Sequence, residues 1–300
     1  MTTMSSGGRI QAGSAEALAA ALEVQPVGAA LGAEIVGLNV ARTLAEETKT
    51  AVRRAFLRHH VVVFRDQRLD EAQLHAFALA FGEVESHALR QRDGLALGGA
   101  HHLSNLEVDG KLVMNPLLST TYFWHSDKSF LREPSMATML HAVKLPPTGG
   151  DTQFADMTAA YAMLPEGMKQ RIAGLHVVQS LEYMRRSTGN AAPSEEERGS
   201  APPVLHPLVR THPETGEKAL YIGMYSSHIS ELPEDDGRAL LADLTAHATG
   251  SRFVYTHQWR PGDLVVWDNR CLLHRAVANY DIEKHQRVMM RVVVKGDVPR

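Results

Sequence analysis

Many short apolar runs broken by Gly and Pro, a few helical stretches between them, and a strand-rich C-terminal third predict a mainly β chain with covering helices. In fold terms this is an α+β double-stranded β-helix, or jelly roll, whose interior can enclose a small-molecule pocket. The 300 residues fit one large domain. We read residues 1–22, rich in Ser, Gly, Thr and Ala, as a flexible N-terminus. Residues 23–296 read as a single domain with a mobile insertion around 185–203, a polar stretch carrying Pro, Gly and Ser.

In chain order, residues 23–40 read as short strands interrupted at Gly28, Gly32 and Gly37. Residues 44–58 have helical periodicity, with Val52, Phe56 and Leu57 on the apolar face. Val61 to Phe64 is a continuous apolar run, the signature of a buried strand. Asp70 with Gln73 three residues on predicts a capped helix that carries Leu74, Phe77, Ala78 and Phe81 inward and ends at Gly82. Residues 83–118 are irregular, with a turn signal at Asp109-Gly110. Strands are expected at 137–143, 151–154, 205–209, 220–224, 253–259, 264–267 and 288–294. Helices are expected at 156–175, interrupted near Pro165, and at 232–249.

Composition narrows the function. Hydrophobic content of 44% and charged content of 22% are those of an ordinary globular enzyme. A net charge of −3 gives no global attraction to nucleic acid or an anionic membrane. No apolar run approaches the roughly 20 residues that span a bilayer, and the N-terminus has no export signal. The lone Cys271 excludes an internal disulfide framework and fits a reducing cytoplasm.

The chemistry-bearing stretch is Phe123-Trp124-His125-Ser126-Asp127-Lys128-Ser129-Phe130. In an extended strand His125 and Asp127 project from one face and offer an imidazole and a carboxylate to one point. Two His and one carboxylate on one side of an ion form the facial arrangement of non-heme Fe(II) oxygenases. Taken by itself His-x-Asp is weak, because this chain has 16 His and a half-buried His bonded to a carboxylate is the bland alternative. Downstream, Arg287 and Arg291 flank Met289 on one face of a strand. A buried guanidinium calls for an anion, whereas an edge strand would leave both Arg solvated.

Trp124-His125-Ser126-Asp127, Gly149-Gly150-Asp151-Thr152, Trp267-Asp268-Asn269-Arg270 with His274, and Arg287 through Arg291 stand together in this order. In them the chain resembles the α-ketoglutarate-dependent dioxygenases of the taurine dioxygenase and dichlorophenoxyacetate dioxygenase family, from about residue 24 to 294. The resemblance implies that His125, Asp127 and His274 bind Fe(II) and carry the catalysis. It implies that Thr152 and Arg287 hold the distal carboxylate of α-ketoglutarate, with O2 as the other cosubstrate. It places Arg291 on the acidic group of the substrate, and His87 as a second substrate contact. Lys128 departs from the pattern by following the Asp ligand, where a small or apolar residue is expected. A slightly long interval between His274 and Arg287 is absorbed by a turn at 281–284.

The resemblance further implies hydroxylation, and cleavage where the product is unstable, of a small anionic substrate. The wording around Trp124, Phe154 and Leu208 favours the phenoxyacetate branch, and so an aryloxyalkanoate or related aromatic carboxylate. An alkyl sulfonate or alkyl sulfate is the alternative. Family members are often homodimers or homotetramers. A halogenase would lack Asp127, a zinc hydrolase would have no use for Thr152 and Arg287, and a silent binding protein would be expected to have lost a ligand. His59, His60, His101, His102 and His257 are taken as structural or surface residues. Phe123, Trp124 and Phe130 are taken as core, and Cys271 as buried with no catalytic role.

Overall fold

The computed structural model describes residues 22–85, 99–105, 112 and 120–300. The expected flexible N-terminus, the turn at Asp109-Gly110 and His87 lie outside the described residues, the N-terminus save for its last residue. The elements run β1 (Val24–Pro26), β2 (Ala33–Ile35), α1 (Glu46–His59), β3 (Val61–Phe64), α2 (Glu71–Ala78), β4 (Ala100–Ser104), β5 (Ser135–Lys144) and β6 (Thr152–Asp156). Then come α3 (Met157–Ala162), α4 (Glu166–Ile172), β7 (His176–Gln179), α5 (Leu181–Ser187), α6 (Glu195–Ser200), β8 (Val204–Pro207) and β9 (Val209–Thr211). The last group is β10 (Lys218–Leu220), β11 (Ser226–Ile229), α7 (Glu234–Ala248), β12 (Val254–His257), β13 (Leu264–Asp268), β14 (Leu272–Ala276) and β15 (Val288–Lys295).

A seven-stranded sheet in the order β1-β2-β3-β13-β5-β15-β4 forms one wall. Its register assigns the faces. Val63, Val265, Leu140 and Arg291 lie in one cross-strand row, and Trp267, Thr138 and Val293 in the next row of the same face. The alternate residues Val62, Val266, Met139 and Val292 point the other way. That second face is covered by α1 and α2, whose Phe56, Leu74 and Phe77 complete one apolar cluster with Phe81 from the turn after α2. The first face looks toward the smaller sheet β12-β6-β14, and Phe154, Tyr255, Leu272 and Trp267 join the other cluster. Because β3 and β13 are buried on both faces, Val61–Phe64 and Leu264–Trp267 read as unbroken apolar runs in the sequence.

Local signals account for most element ends. Asp70 and Gln73 form the expected capping box on α2. Asp156 ends β6 and caps α3 by accepting from Thr158 N and Ala159 N, and Pro165 separates α3 from α4.

Several expectations are corrected. His125 and Asp127 are not in a strand: His125 makes a single bridge and Asp127 opens a turn in which Lys128 has φ +56°. Part of the irregular 83–118 segment is strand β4, and β7 lies just past the expected helix, where no element was expected. The 220–224 strand ends at Leu220, and pairing resumes at Ser226. The 185–203 stretch is not plain loop: it contains the end of α5 and all of α6, tied by an ion pair from Arg185 to Glu197 at 2.8 Å. Phe123 is 46% exposed rather than core. Among the described residues no helix is long and apolar enough to cross a membrane.

Phe56 is fully buried and meets Phe81 edge-on at 5.3 Å. Phe56→Ala is expected to lower unfolding stability by about 3–5 kcal/mol. Phe123→Ala should change it by no more than about 0.5 kcal/mol. Urea unfolding of both variants checks the contrast, and equal losses would contradict the two-layer core.

Candidate active site

One backbone pairing assembles the site. His125 N donates to His274 O at 3.0 Å and His274 N donates to His125 O at 2.8 Å. This reciprocal pair puts both side chains on the same side, with ring centroids 4.1 Å apart. His274 is fixed from behind by β6, where Phe154 is its direct cross-strand partner, and by the Trp267 ring at 4.7 Å. Asp127 Oδ1 lies 4.0 Å from His125 Nε2, and Asp127 Oδ2 lies 3.8 Å from His274 Nε2. The three donor atoms are within 4.8 Å of one another, and all three residues are buried.

The protonation states suit a metal. His125 Nδ1 is 2.7 Å from the Phe123 carbonyl, so that nitrogen donates and Nε2 is left with its lone pair. Burial holds the His125 pKa below its ordinary value. It holds that of His274 well below, with neighbouring His125 adding to the effect. Burial alone would push Asp127 up. Arg291, then the two histidines and the Thr138 hydroxyl, outweigh it and hold the carboxyl well below the usual range. Two neutral imidazoles and an ionised carboxylate on one side of a point match the ligand set of an Fe(II) facial triad.

Around Asp127 the hydrogen bonds have a fixed direction. Asn269 Nδ2 donates to Thr138 Oγ1 at 2.9 Å, so the Thr138 proton is left for Asp127 Oδ2, which it reaches by a short bond. Asn269 Oδ1 accepts from Trp267 Nε1 at 3.0 Å and from Asp127 N at 3.3 Å. Arg291 Nη2 sits 2.8 Å from Asp127 Oδ1. The Tyr225 hydroxyl is buried in the same neighbourhood, where burial and the Asp127 charge push its pKa up. Asn269, Thr138 and Tyr225 were not singled out from sequence. Asn269 alone carried a signal, in the Trp-Asp-Asn-Arg run.

Beside the triad, Thr152 lies on the same face of β6 as Phe154, one two-residue step along. Thr152 Oγ1 accepts from Trp259 Nε1 at 3.0 Å. Arg287 immediately precedes β15, with its guanidinium carbon 5.9 Å from the Trp259 ring centre and its Nε donating to Gly150 O at 3.2 Å. Among the described residues no carboxylate pairs with Arg287, and burial lowers its pKa. A carboxylate seated between Thr152 and Arg287 would relieve that cost, so the donor set fits the distal end of a keto diacid. Gly149 and Gly150 both have φ near +75°, and a Cβ on Gly149 would fall 2.1 Å from Asn279 O. The double glycine is what lets the turn close under Arg287.

The remaining sequence expectations resolve as follows. Lys128 points away from the triad and pairs closely with Glu85, which also accepts from Ser135 Oγ at 2.8 Å. Residues 282–284 form a turn, held by Asn105 Nδ2 donating to Ile282 O and His285 O. Cys271 is buried, with Sγ 3.2 Å from His60 Nδ1. A second cluster of His212, Asp268 and Cys271 is already satisfied. Asp268 Oδ2 accepts from Arg270 Nη2 at 2.6 Å and His212 Nε2 at 3.0 Å, and Oδ1 accepts from Arg270 Nε at 2.8 Å and Arg270 N at 2.9 Å, so both oxygens are engaged.

Comparison with known proteins agrees with this geometry. Residues 23–293 match the family described as taurine catabolism dioxygenase TauD, TfdA family. A protein of Burkholderia sp. (strain RASC) named alpha-ketoglutarate-dependent 2,4-dichlorophenoxyacetate dioxygenase is 44% identical over 244 residues, 79% of this chain and 82% of its own. A protein of Pseudomonas putida named alpha-ketoglutarate-dependent sulfate ester dioxygenase is 33% identical, over 93% of this chain and 91% of its own. The crystal structure of AAD-2 in complex with Mn(II) and N-oxalylglycine superposes with a TM-score of 0.82 at 36% identity, over 92% of this chain and 99% of that one.

Two outcomes are expected. Thr138→Val, which removes the hydroxyl bonded to Asp127, should weaken Mn(II) binding about tenfold by calorimetry. Unchanged affinity would mean the Asn269–Thr138 chain does not hold the ligand. Separately, burial keeps His125, His141, His206, His257 and His274 below their ordinary pKa of 6.5. Below that pH the unfolded chain takes up protons that the native state refuses, so native stability falls as pH falls. The thermal midpoint of metal-free protein should drop between about pH 7.5 and about pH 5.5, and a flat or rising midpoint would contradict the assignment.

Proposed function

The chain belongs to the TauD, TfdA dioxygenase family, and from that premise we propose that it oxidises an aryloxyalkanoate or a related aromatic carboxylate. It is an α-ketoglutarate-dependent dioxygenase, with Fe(II) as its metal and α-ketoglutarate and O2 as cosubstrates. The observation that carries the substrate reading is Arg291, a guanidinium on the interior face of β15 that reaches the triad itself, 2.8 Å from Asp127.

In this reading His125, Asp127 and His274 hold the iron. Thr152 and Arg287 hold the distal carboxylate of α-ketoglutarate. With the cosubstrates bound, the metal supplies oxidative decarboxylation of the keto acid to succinate and CO2 and the oxidising power that hydroxylates a substrate C–H bond. The chain's own work is orientation. The Phe123 carbonyl fixes the His125 ring, and Thr138 and Arg291 keep Asp127 ionised. Arg291 has five N–H donors, enough to serve Asp127 and still grip a carboxylate. His87 is proposed as a second contact to the substrate. With its acid group anchored, the carbon next to the ether oxygen is the one presented to the metal. Hydroxylation there gives a hemiacetal that breaks down to a phenol and an oxo acid. The lone buried Cys271 supports a reducing cytoplasm as the setting, and assembly as a homodimer or homotetramer is proposed from the resemblance alone.

The test is succinate formation by anaerobically Fe(II)-loaded protein given O2 and α-ketoglutarate. Phenoxyacetate, an arylpropionate, taurine and an alkyl sulfate are compared. An aryloxy acid is expected to stimulate turnover, Asp127→Ala to abolish it, and Arg291→Gln to raise the substrate KM roughly 10- to 100-fold, the worth of a charge-assisted hydrogen bond. Turnover with the sulfate or sulfonate alone would move the substrate to those acids.

A further inference from the structure

We propose that Trp259 is a positioning residue for α-ketoglutarate, its indole N–H orienting the Thr152 hydroxyl so that the hydroxyl proton points at the distal carboxylate. The inference rests on the cosubstrate assignment above and deepens it.

An indole N–H is a donor only, whereas a threonine hydroxyl has one proton to give and two lone pairs to receive. Trp259 Nε1 lies 3.0 Å from Thr152 Oγ1, so the indole must occupy one of those lone pairs. The hydroxyl proton is then left over. Thr152 is only 4% exposed, and among the described residues no acceptor takes that proton. A buried donor without a partner is costly unless something arrives to accept from it, and a carboxylate gripped by Arg287 is such a group. The same indole lies against the Arg287 guanidinium, 5.9 Å from ring centre to Cζ. One side chain therefore touches both residues assigned to the distal carboxylate.

The placement is fixed by the fold. His257 ends β12 as the direct cross-strand partner of Thr152, and Trp259, two residues past that end, reaches back to the Thr152 hydroxyl. Behind the indole the His257 ring packs edge-on at 4.6 Å. That ring is itself locked between the Tyr255 hydroxyl at 2.9 Å and Asp263 Oδ2 at 3.1 Å. Asp263 also accepts from Arg260 N at 2.8 Å and from Arg65 Nη1 at 2.6 Å, which holds the turn that leaves Trp259. The indole is thus braced before any ligand arrives, the condition under which a polar contact contributes most.

Trp259→Phe keeps an aromatic ring beside Arg287 and removes the indole N–H together with the five-membered ring that carries it. Mn(II)-loaded protein is titrated calorimetrically with α-ketoglutarate, and with pyruvate, which lacks the distal carboxylate. Trp259→Phe is expected to weaken α-ketoglutarate about tenfold and to leave pyruvate unchanged. Thr152→Val should weaken it at least as much, and the double variant should be no worse than Thr152→Val, because both act on one proton. Additive losses, an equal loss for pyruvate, or α-ketoglutarate affinity within about twofold of wild type would each overturn the proposal while leaving the dioxygenase reading intact. Failure of the wild type to bind α-ketoglutarate would overturn both. A second measurement stands if Trp259→Phe does not fold. In the Zn(II)-loaded wild type, the indole N–H resonance that Thr152→Val displaces should move on adding α-ketoglutarate and stay put on adding pyruvate. Movement with both or with neither overturns the proposal.

Discussion

Everything at the centre of this protein depends on the two backbone hydrogen bonds exchanged between His125 and His274. The residues are far apart in sequence, and neither is held by the major sheet. Pairing them directly makes both imidazoles emerge side by side, and the turn after His125 swings Asp127 to the same point. Had the pairing slipped by one residue, one imidazole would face the opposite side of its strand. The surrounding β6 and Trp267 contacts serve to prevent that slip: Phe154 opposes His274 in register, and both rings pack on it.

Bringing a carboxylate into this buried place is the main electrostatic cost, and the chain offsets it on two sides. Arg291 supplies the charge. The Trp267–Asn269–Thr138 chain supplies a fixed dipole, each member donating to the next until the last proton meets Asp127. The second arrangement is possible because Thr138 and Trp267 are cross-strand partners in β5 and β13, and Asn269 follows directly where β13 ends. The Trp-Asp-Asn-Arg run divides the labour between its members. Trp267 and Asn269 face the metal side. Asp268 and Arg270 clamp each other and, through Glu214, reach Arg53 on α1. The site is thereby tied to the helices on the far side of the major sheet.

The sequence revealed the site best where chemistry forces a residue type, and least where geometry alone does. His125, Asp127 and His274 do come together, through a bridge and a turn rather than through the strand alternation expected of them. Trp259 and Thr138 went unremarked because an isolated Trp or Thr in an apolar strand has no signature; only the register shows what it touches. Lys128 could not be read at all. Its positive φ is adopted by few residues other than Gly, Asn and Asp, and the Glu85 that draws its side chain away is distant in sequence. Phe123 looked like core by composition, yet its position contributes a carbonyl to His125 rather than a ring to the interior. The short strands β4 and β7 lack any run of alternation long enough to stand out, so pairing with neighbours decides them.

The division between strand-borne and connection-borne groups carries a consequence for how such a site changes. His125, His274, Thr152 and Arg291 are anchored to paired strands or to a bridge between them, with Asp127 in the turn that follows His125, and a shift of one residue would break the core as well as the site. Arg287 lies just outside β15, at the register shift between Val288 and Met289, but is pinned by Gly150 and by Asn105 accepting from its backbone N–H. Tyr225, by contrast, precedes β11 on a connection, and the segment containing α5 and α6 joins one strand to the next. Connections tolerate substitution and insertion far better than paired strands. The triad, Thr152 and Arg287 are therefore constrained together by packing, while the connections around Tyr225, α5 and α6 are freer to vary. The grip proposed for Arg291 is compatible with acids of quite different body, and what would distinguish them belongs to these connections.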